Sequence, residues 1–285
     1  MRVLLGAKAS HLREIRLPCF ASPKVDGWRA VWQGLEFFTR KGLTLPNRVL
    51  RAYASSFGVP PGYDGEIIVG DPCDPKVFSK TDSFCKKHHA PIPAEGVRYF
   101  VFDNAGAPGG FLERNETIEE APPFVVKLPQ VLICNYDELE AYEAECVAQG
   151  YEGICTRATY GRYKQGRSTM KEQFLVKVKR YLDEEVEIIG FKELEHNANP
   201  AIVDATGHAK RSSHQDGKVL GGVLGSVIVR WHGAPLHVGT GFDWKDRVEI
   251  WNRRGDFLGK LVTIRYSPPT KDLPRQPVWK GLRND

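Results

Sequence analysis

Lys24-Val25-Asp26-Gly27-Trp28-Arg29 places an amine, a carboxylate and a guanidinium within six residues. In an extended backbone alternate side chains share a face, so Lys24 and Asp26 are expected to point into one pocket while Val25 anchors the opposite side. Gly27 is expected to leave room for a ligand beside the backbone. A lysine followed by Asp-Gly also occurs at ordinary hairpin ends, so the segment takes its meaning from the residues downstream of it.

Asp64-Gly65-Glu66, Phe102-Asp103, Glu152-Gly153-Ile154 and Lys177-Val178-Lys179 come next, each beside an apolar, strand-like run. In that order the five segments resemble the motif series of the covalent nucleotidyltransferase superfamily, which holds ATP-dependent DNA ligases, RNA ligases and mRNA capping enzymes. The likeness is greatest to the small ATP-dependent DNA ligases of viruses and phages. It runs through Gly161-Arg162-Tyr163-Lys164-Gln165-Gly166-Arg167-Ser168-Thr169 and Lys210-Arg211-Ser212-Ser213-His214 to Pro274-Arg275-Gln276-Pro277.

Composition allows this. With 285 residues, 41% of them apolar and 26% charged, the chain can bury one large core or two smaller ones. The formal charge of +5 is mild, but Arg157 to Arg180 carries eight Lys or Arg against the single acid Glu172. Such a run suits phosphate neutralisation, or is simply a solvated basic face. Six scattered cysteines without a Cys-x-x-Cys pair suggest reduced thiols and a cytoplasmic setting. Cys73, Cys85, His88 and His89 match no common zinc spacing and read as a loop. Met1 to Ala9 is far shorter than a signal peptide or membrane span, so no membrane partner is expected.

The first region, residues 1–181, reads as an α+β domain with antiparallel sheets. Trp28 to Trp32, a Gln33-Gly34 turn and Leu35 to Arg40 form a hairpin pattern. Asn47 to Phe57 has helical spacing ending at Gly58, and Asn135 begins a second helix reaching about Gln149, with Gly150 beyond it. Residues 182–285 give short strands at Glu185 to Ile189, Ser226 to Arg230, Leu236 to Val238 and Lys260 to Tyr266, the pattern of a small barrel. A helix from Asp243 to about Arg254 interrupts them. The resemblance makes the first region a nucleotidyltransferase (adenylation) domain and the second an OB-fold. It also makes the basic segment at about 193–222, too long for a barrel connection, a latch that closes around DNA.

By resemblance, Lys24 is the nucleophile that takes AMP from ATP, with Asp26, Arg29, Lys177, Lys179 and Arg283 completing the catalytic set. Arg29, Arg40, Glu66, Phe102, Glu152, Arg167, Lys177 and Lys179 contact the nucleotide or the 5′-phosphate, with Phe102 stacking on adenine. Glu66 and Glu152 hold Mg²⁺ or Mn²⁺. The amine must be neutral to attack, and Lys177, Lys179 and a divalent cation are expected to disfavour its charge. Gln276 replaces the usual aromatic of the C-terminal motif, which continues through Gly281-Leu282-Arg283-Asn284-Asp285. The implied activity seals 3′-OH/5′-phosphate nicks in duplex DNA during repair or replication, by a monomer that encircles its substrate. The alternative is an RNA ligase or a capping-type guanylyltransferase; an NAD-dependent ligase would be expected to carry a Cys-x-x-Cys zinc module.

Overall fold

The computed structural model describes residues 3–179, 181–203, 209–212, 214–267 and 274–283. Met1, Arg180, Ser213 of the 210–214 segment, Asn284 and Asp285 lie outside them. The described residues form two compact units, one ending at Lys179 and the other beginning at Tyr181, so Tyr181 belongs with the second unit and not, as expected, with the first.

The first unit contains two five-stranded sheets. One has the order Ala7–Ala9, Val176–Lys179, Gly153–Ala158, Cys19–Pro23, Val131–Ile133; the other runs Phe37–Thr39, Trp28–Trp32, Tyr63–Val69, Val97–Asn104, Val125–Lys127. Most pairs are antiparallel, as expected, but an edge strand of each sheet joins in parallel: Val176–Lys179 with Ala7–Ala9, and Val97–Asn104 with Val125–Lys127. Sequence alternation carries no information about pairing direction at an edge, which explains the difference.

Two helices start where their caps foretell. Asn47 Oδ1 accepts from the Leu50 amide at 2.9 Å to open Arg48–Ser56, and Asn135 Oδ1 accepts from the Glu138 amide at 2.9 Å to open Tyr136–Ala148. The hairpin turn spans four residues rather than two, since Trp32 pairs with Phe37 and the Gln33 amide donates to the Glu36 carbonyl. A further helix, Val77–Lys86, occupies the stretch read as a loop. Its Val77, Thr81, Phe84 and Cys85 are buried, and Cys85 packs in the apolar core with Trp32, Phe37, Tyr99 and Phe124.

The sheets bury separate cores, the second around Ala21, Leu139, Ile154, Val176 and Val178. A smaller cluster of Val25, Ile68, Phe100, Phe102 and Leu128 lies where the chain passes from one sheet to the other. Beside it Asp103, fully buried, accepts from Arg114 Nε at 2.9 Å and Nη2 at 3.2 Å and from Arg157 Nη1 at 3.0 Å. Arg114 comes from a short helix, Phe111–Glu116, that sequence periodicity did not suggest.

In the second unit five antiparallel strands follow the order Ala234–Val238, Lys218–Trp231, Leu182–Asn197, Leu261–Ser267, Arg275–Leu282. Its two edges meet at an isolated parallel bridge between Thr240 and Val278. Strands expected to be short are long here: the 16-residue Leu182–Asn197 and 14-residue Lys218–Trp231 are paired, and a small hairpin, Ala201–Val203 with Ala209–Arg211, lies between them in the chain. The segment expected as a latch, about 193–222, thus takes in the ends of both long strands and, among the described residues between them, the small hairpin. Asp243 Oδ1 caps Trp244–Asn252 through the Asp246 amide at 2.7 Å, and a separate turn of helix, Arg254–Phe257, follows.

Removing one member of a buried ion cluster strands its partner's charge. Arg114→Ala is expected to lower stability by about 3 kcal/mol, read as a fall in the urea midpoint at unchanged slope. An unchanged midpoint would show that Asp103 does not depend on Arg114.

Candidate active site

Lys24 follows directly on the strand Cys19–Pro23. Its amide donates to the Gly153 carbonyl at 2.8 Å and its carbonyl accepts from the Glu152 amide at 3.3 Å, which ties it to the chain entering Gly153–Ala158. Gly153 has φ +140°, and a Cβ there would lie 2.3 Å from the Val178 carbonyl oxygen, so the turn that presents Glu152 needs glycine. Gly27 has a different reason from the one expected. A Cβ at Gly27 would lie 2.3 Å from the Ile67 carbonyl oxygen, so the glycine admits a neighbouring strand and not a ligand.

A cleft of about 390 Å³, counted with its solvent-open part, is lined by Lys24, Val25, Arg29, Glu66, Phe102, Cys155, Arg157 and Lys177, with Ser22, Pro23, Leu128 and Leu175 completing the wall. Lys24, Arg29, Glu66, Phe102 and Lys177 are thus brought together as expected. The alternation expected for residues 24–26 does not hold, because Val25 faces the cleft alongside Lys24 and Asp26 is not in its lining. These residues form no strand, so the two-residue period does not apply to them. Arg40 is exposed on the turn that follows Phe37–Thr39, and Arg167 is exposed with Nη1 donating to the Gly6 carbonyl at 2.7 Å; neither lines the cleft. Arg283 lies in the second unit, where Nη1 meets Glu185 Oε2 at 2.8 Å.

Buried carboxylates fix the cations. Asp64, fully buried, receives Arg29 through Nε at 3.0 Å and Nη2 at 2.6 Å and accepts from the Tyr163 hydroxyl at 2.6 Å. Glu152 forms ion pairs with both Lys24 and Lys179. The guanidinium carbons of Arg29 and Arg157 stand 5.2 and 5.0 Å from the Phe102 ring centroid. Arg157 had no place in the sequence-derived site, yet it is 3% exposed and its Nε is buried without a hydrogen-bond partner. Two-residue spacing along Gly153–Ala158 does put Cys155 and Arg157 on one face, but nothing in the sequence marks that face as the cleft. The basic run from Arg157 onward is likewise divided: Arg157 serves Asp103, Lys164 pairs with Glu172, Lys177 faces the cleft and Lys179 meets Glu152.

The chain's own groups around Lys24 favour its charged form. Burial favours the neutral amine, but the Glu152 carboxylate outweighs it, with smaller contributions from Cys155 and Glu66, and holds the lysine protonated beyond its ordinary range. Burial and then the Lys24 and Arg29 charges lower Lys177, whereas Cys155 and Glu66 oppose them. Burial pushes Glu66 up to about 7 despite Lys24, Arg29 and Lys177. Glu152 is depressed, because Lys24 and Lys179 overcome its burial.

Comparison with known proteins agrees with this geometry. An adenylate structure of Chlorella virus DNA ligase is 30% identical to this chain, covering 100% of it and 99% of the viral protein at a TM-score of 0.57. This chain is an ATP-dependent DNA ligase. A Lig E DNA ligase shares the fold at a TM-score of 0.71, with 23% identity and 99% coverage of each chain. The DNA ligase of Haemophilus influenzae is 22% identical over 251 residues, which span 86% of this chain and 79% of that protein. No protein-family model matches. The fold is accordingly the ligase combination of a nucleotidyltransferase domain and an OB-fold domain.

If Glu152 is what keeps Lys24 protonated, Glu152→Gln will let the amine deprotonate at lower pH. The pH midpoint for acetic anhydride labelling of Lys24 is expected to fall by at least about one unit, and an unmoved midpoint would contradict the assignment.

Proposed function

We propose that this ligase seals 3′-OH/5′-phosphate nicks in duplex DNA, with Lys24 as the residue that carries AMP. The observation that supports this reading is the shared cleft into which Lys24, Arg29, Glu66, Phe102, Arg157 and Lys177 all face. In the first step Lys24 Nζ bonds to the α-phosphorus of ATP, the α–β phosphoanhydride breaks, pyrophosphate leaves and the nitrogen gives up its proton. The AMP then passes to the 5′-phosphate of the nick, and the 3′-hydroxyl displaces it.

The chain's residues divide this work by position. Lys24 cannot attack while Glu152 holds its proton, so release of that carboxylate leaves burial and the neighbouring cations to favour the neutral amine. Lys177 and Arg29 then offset charge on the phosphate, where fixed cations act without reorganising. Asp64 and Tyr163 hold the Arg29 fork in place for bidentate contact. Phe102 lines the cleft and is assigned to adenine by resemblance. Asp26, Arg40, Arg167 and Arg283 are assigned to catalysis or phosphate contact by resemblance alone.

Glu66 and Glu152 fit a divalent cation. Glu66 is held at the upper end of the carboxylate range by burial, and Glu152 pairs with Lys24 and Lys179. No group of three or more His, Cys, Asp or Glu suited to a metal occurs among the described residues, and it is by resemblance that Glu66 and Glu152 would hold an ion that keeps several waters. When bound, Mg²⁺ or Mn²⁺ supplies positive charge against the triphosphate.

We further propose a monomer that encircles duplex DNA, works inside the cell and grips both sides of the break through backbone phosphates. The long hairpin arms Leu182–Asn197 and Lys218–Trp231 support this. Sealing of a 5′-labelled nicked duplex with ATP and Mg²⁺ is expected for the wild type and absent for Lys24→Ala. Preference for an RNA nick or for GTP would favour an RNA ligase or guanylyltransferase instead. Affinity for the nicked duplex should fall at least about tenfold between about 50 and 200 mM salt, and a flat response would contradict the backbone grip.

A further inference from the structure

Cys155 has no role in the reaction as described, yet it lines the cleft. It sits mid-strand, opposed on one side by Lys177 and on the other by Ser22, both cleft residues. Directly opposed strand residues have Cβ atoms about 5 Å apart, which places the sulfur beside the base of the Lys177 side chain. Of the other cysteines, Cys19, Cys85 and Cys146 are buried, Cys134 is exposed and Cys73 is half-buried; none of these lines the cleft.

A cysteine in a cleft is not in itself a site, but two features of this wall point to an oxyanion at the sulfur. Lys24 and Lys177 line the same cleft as Cys155, and Lys177 is its direct cross-strand neighbour. Arg157, two residues along on the same face, presents a buried Nε with no hydrogen-bond partner. As a sulfur attacks a peroxide, negative charge develops on the departing oxygen, and cations beside it stabilise that charge. The same donors would stabilise the oxygen that oxidation leaves behind.

We propose that Cys155 is an oxidative modification site, attacked by hydroperoxides and blocking lysine adenylation when oxidised. The sulfur bonds to one peroxide oxygen as the O–O bond breaks, giving a sulfenic acid and releasing water from hydrogen peroxide. Sulfur is oxidised by two electrons and the peroxide is reduced by two. The added oxygen occupies the cleft wall beside Lys177, between it and Ser22, and so narrows the space a phosphate would enter. Excess thiol reverses the modification through a mixed disulfide. The blocking effect rests on the cleft being the ATP site; the reactivity of Cys155 does not.

The test treats the full chain with hydrogen peroxide and then with dimedone, which captures sulfenic acids, and maps labelled peptides by mass spectrometry. Label at Cys155 is expected, falling about tenfold when saturating ATP and Mg²⁺ are present, while label at exposed Cys134 stays constant. Peroxide given before ATP should abolish the lysine adduct, and dithiothreitol should restore it. Cys155→Ser and Cys155→Ala, each compared with its own untreated activity, should lose a much smaller share than the wild type. Label at Cys134 with none at Cys155, unchanged label under ATP in protein that does form the adduct, or an equal loss in the variants would overturn the proposal. If untreated protein forms no lysine adduct, the ligase reading fails, and labelling of Cys155 alone decides its reactivity.

Discussion

Pairing of buried carboxylates with cations is the constraint on which the rest of this structure depends. Asp64 holds Arg29 and Tyr163, Asp103 holds Arg114 and Arg157, and Glu152 holds Lys24 and Lys179. A cleft able to bind a triphosphate needs several positive charges close together, and such a group repels itself and loses hydration as it is buried. Each carboxylate offsets that cost and fixes one or two cations in position. Both sheets of the first unit contribute: Arg29, Asp64 and Asp103 come from one, Arg157 and Lys179 from the other.

The three anchors differ in what they leave free. Asp64 and Asp103 are fully buried, and their arginines keep a charge at any accessible pH, so these clusters are permanent. Glu152 instead grips two amines, Lys24 and Lys179, whose protons can leave. The proposed reacting group, Lys24, therefore belongs to the one cluster of the three whose cations can become neutral.

Much of this was legible in the sequence because it is local. Asn47, Asn135 and Asp243 announce helix starts through short-range caps, and the order of charged motifs marks Lys24, Glu66, Phe102 and Lys177 as one site. What was hidden depends on contacts between distant segments. Arg157 reads as one more residue of a basic run until Asp103, from another strand, is seen to bury it. The helix Val77–Lys86 escaped notice because two of its four buried positions are Thr81 and Cys85, which do not register as an apolar stripe. Gly27 invited a ligand-based explanation because the approach of Ile67 cannot be read from either segment alone. The hold of Glu152 on Lys24 is hidden in the same way, because it depends on a carboxylate more than a hundred residues along the chain.

The central claim is that one amine, held in check by Glu152, becomes the carrier of AMP. Intact-mass analysis after incubation with ATP and Mg²⁺, followed by peptide mapping under conditions that preserve a phosphoramidate, tests it most directly. The account predicts a single added AMP located on Lys24 and removed by pyrophosphate. An unmodified chain, or an adduct on any other residue, would contradict it.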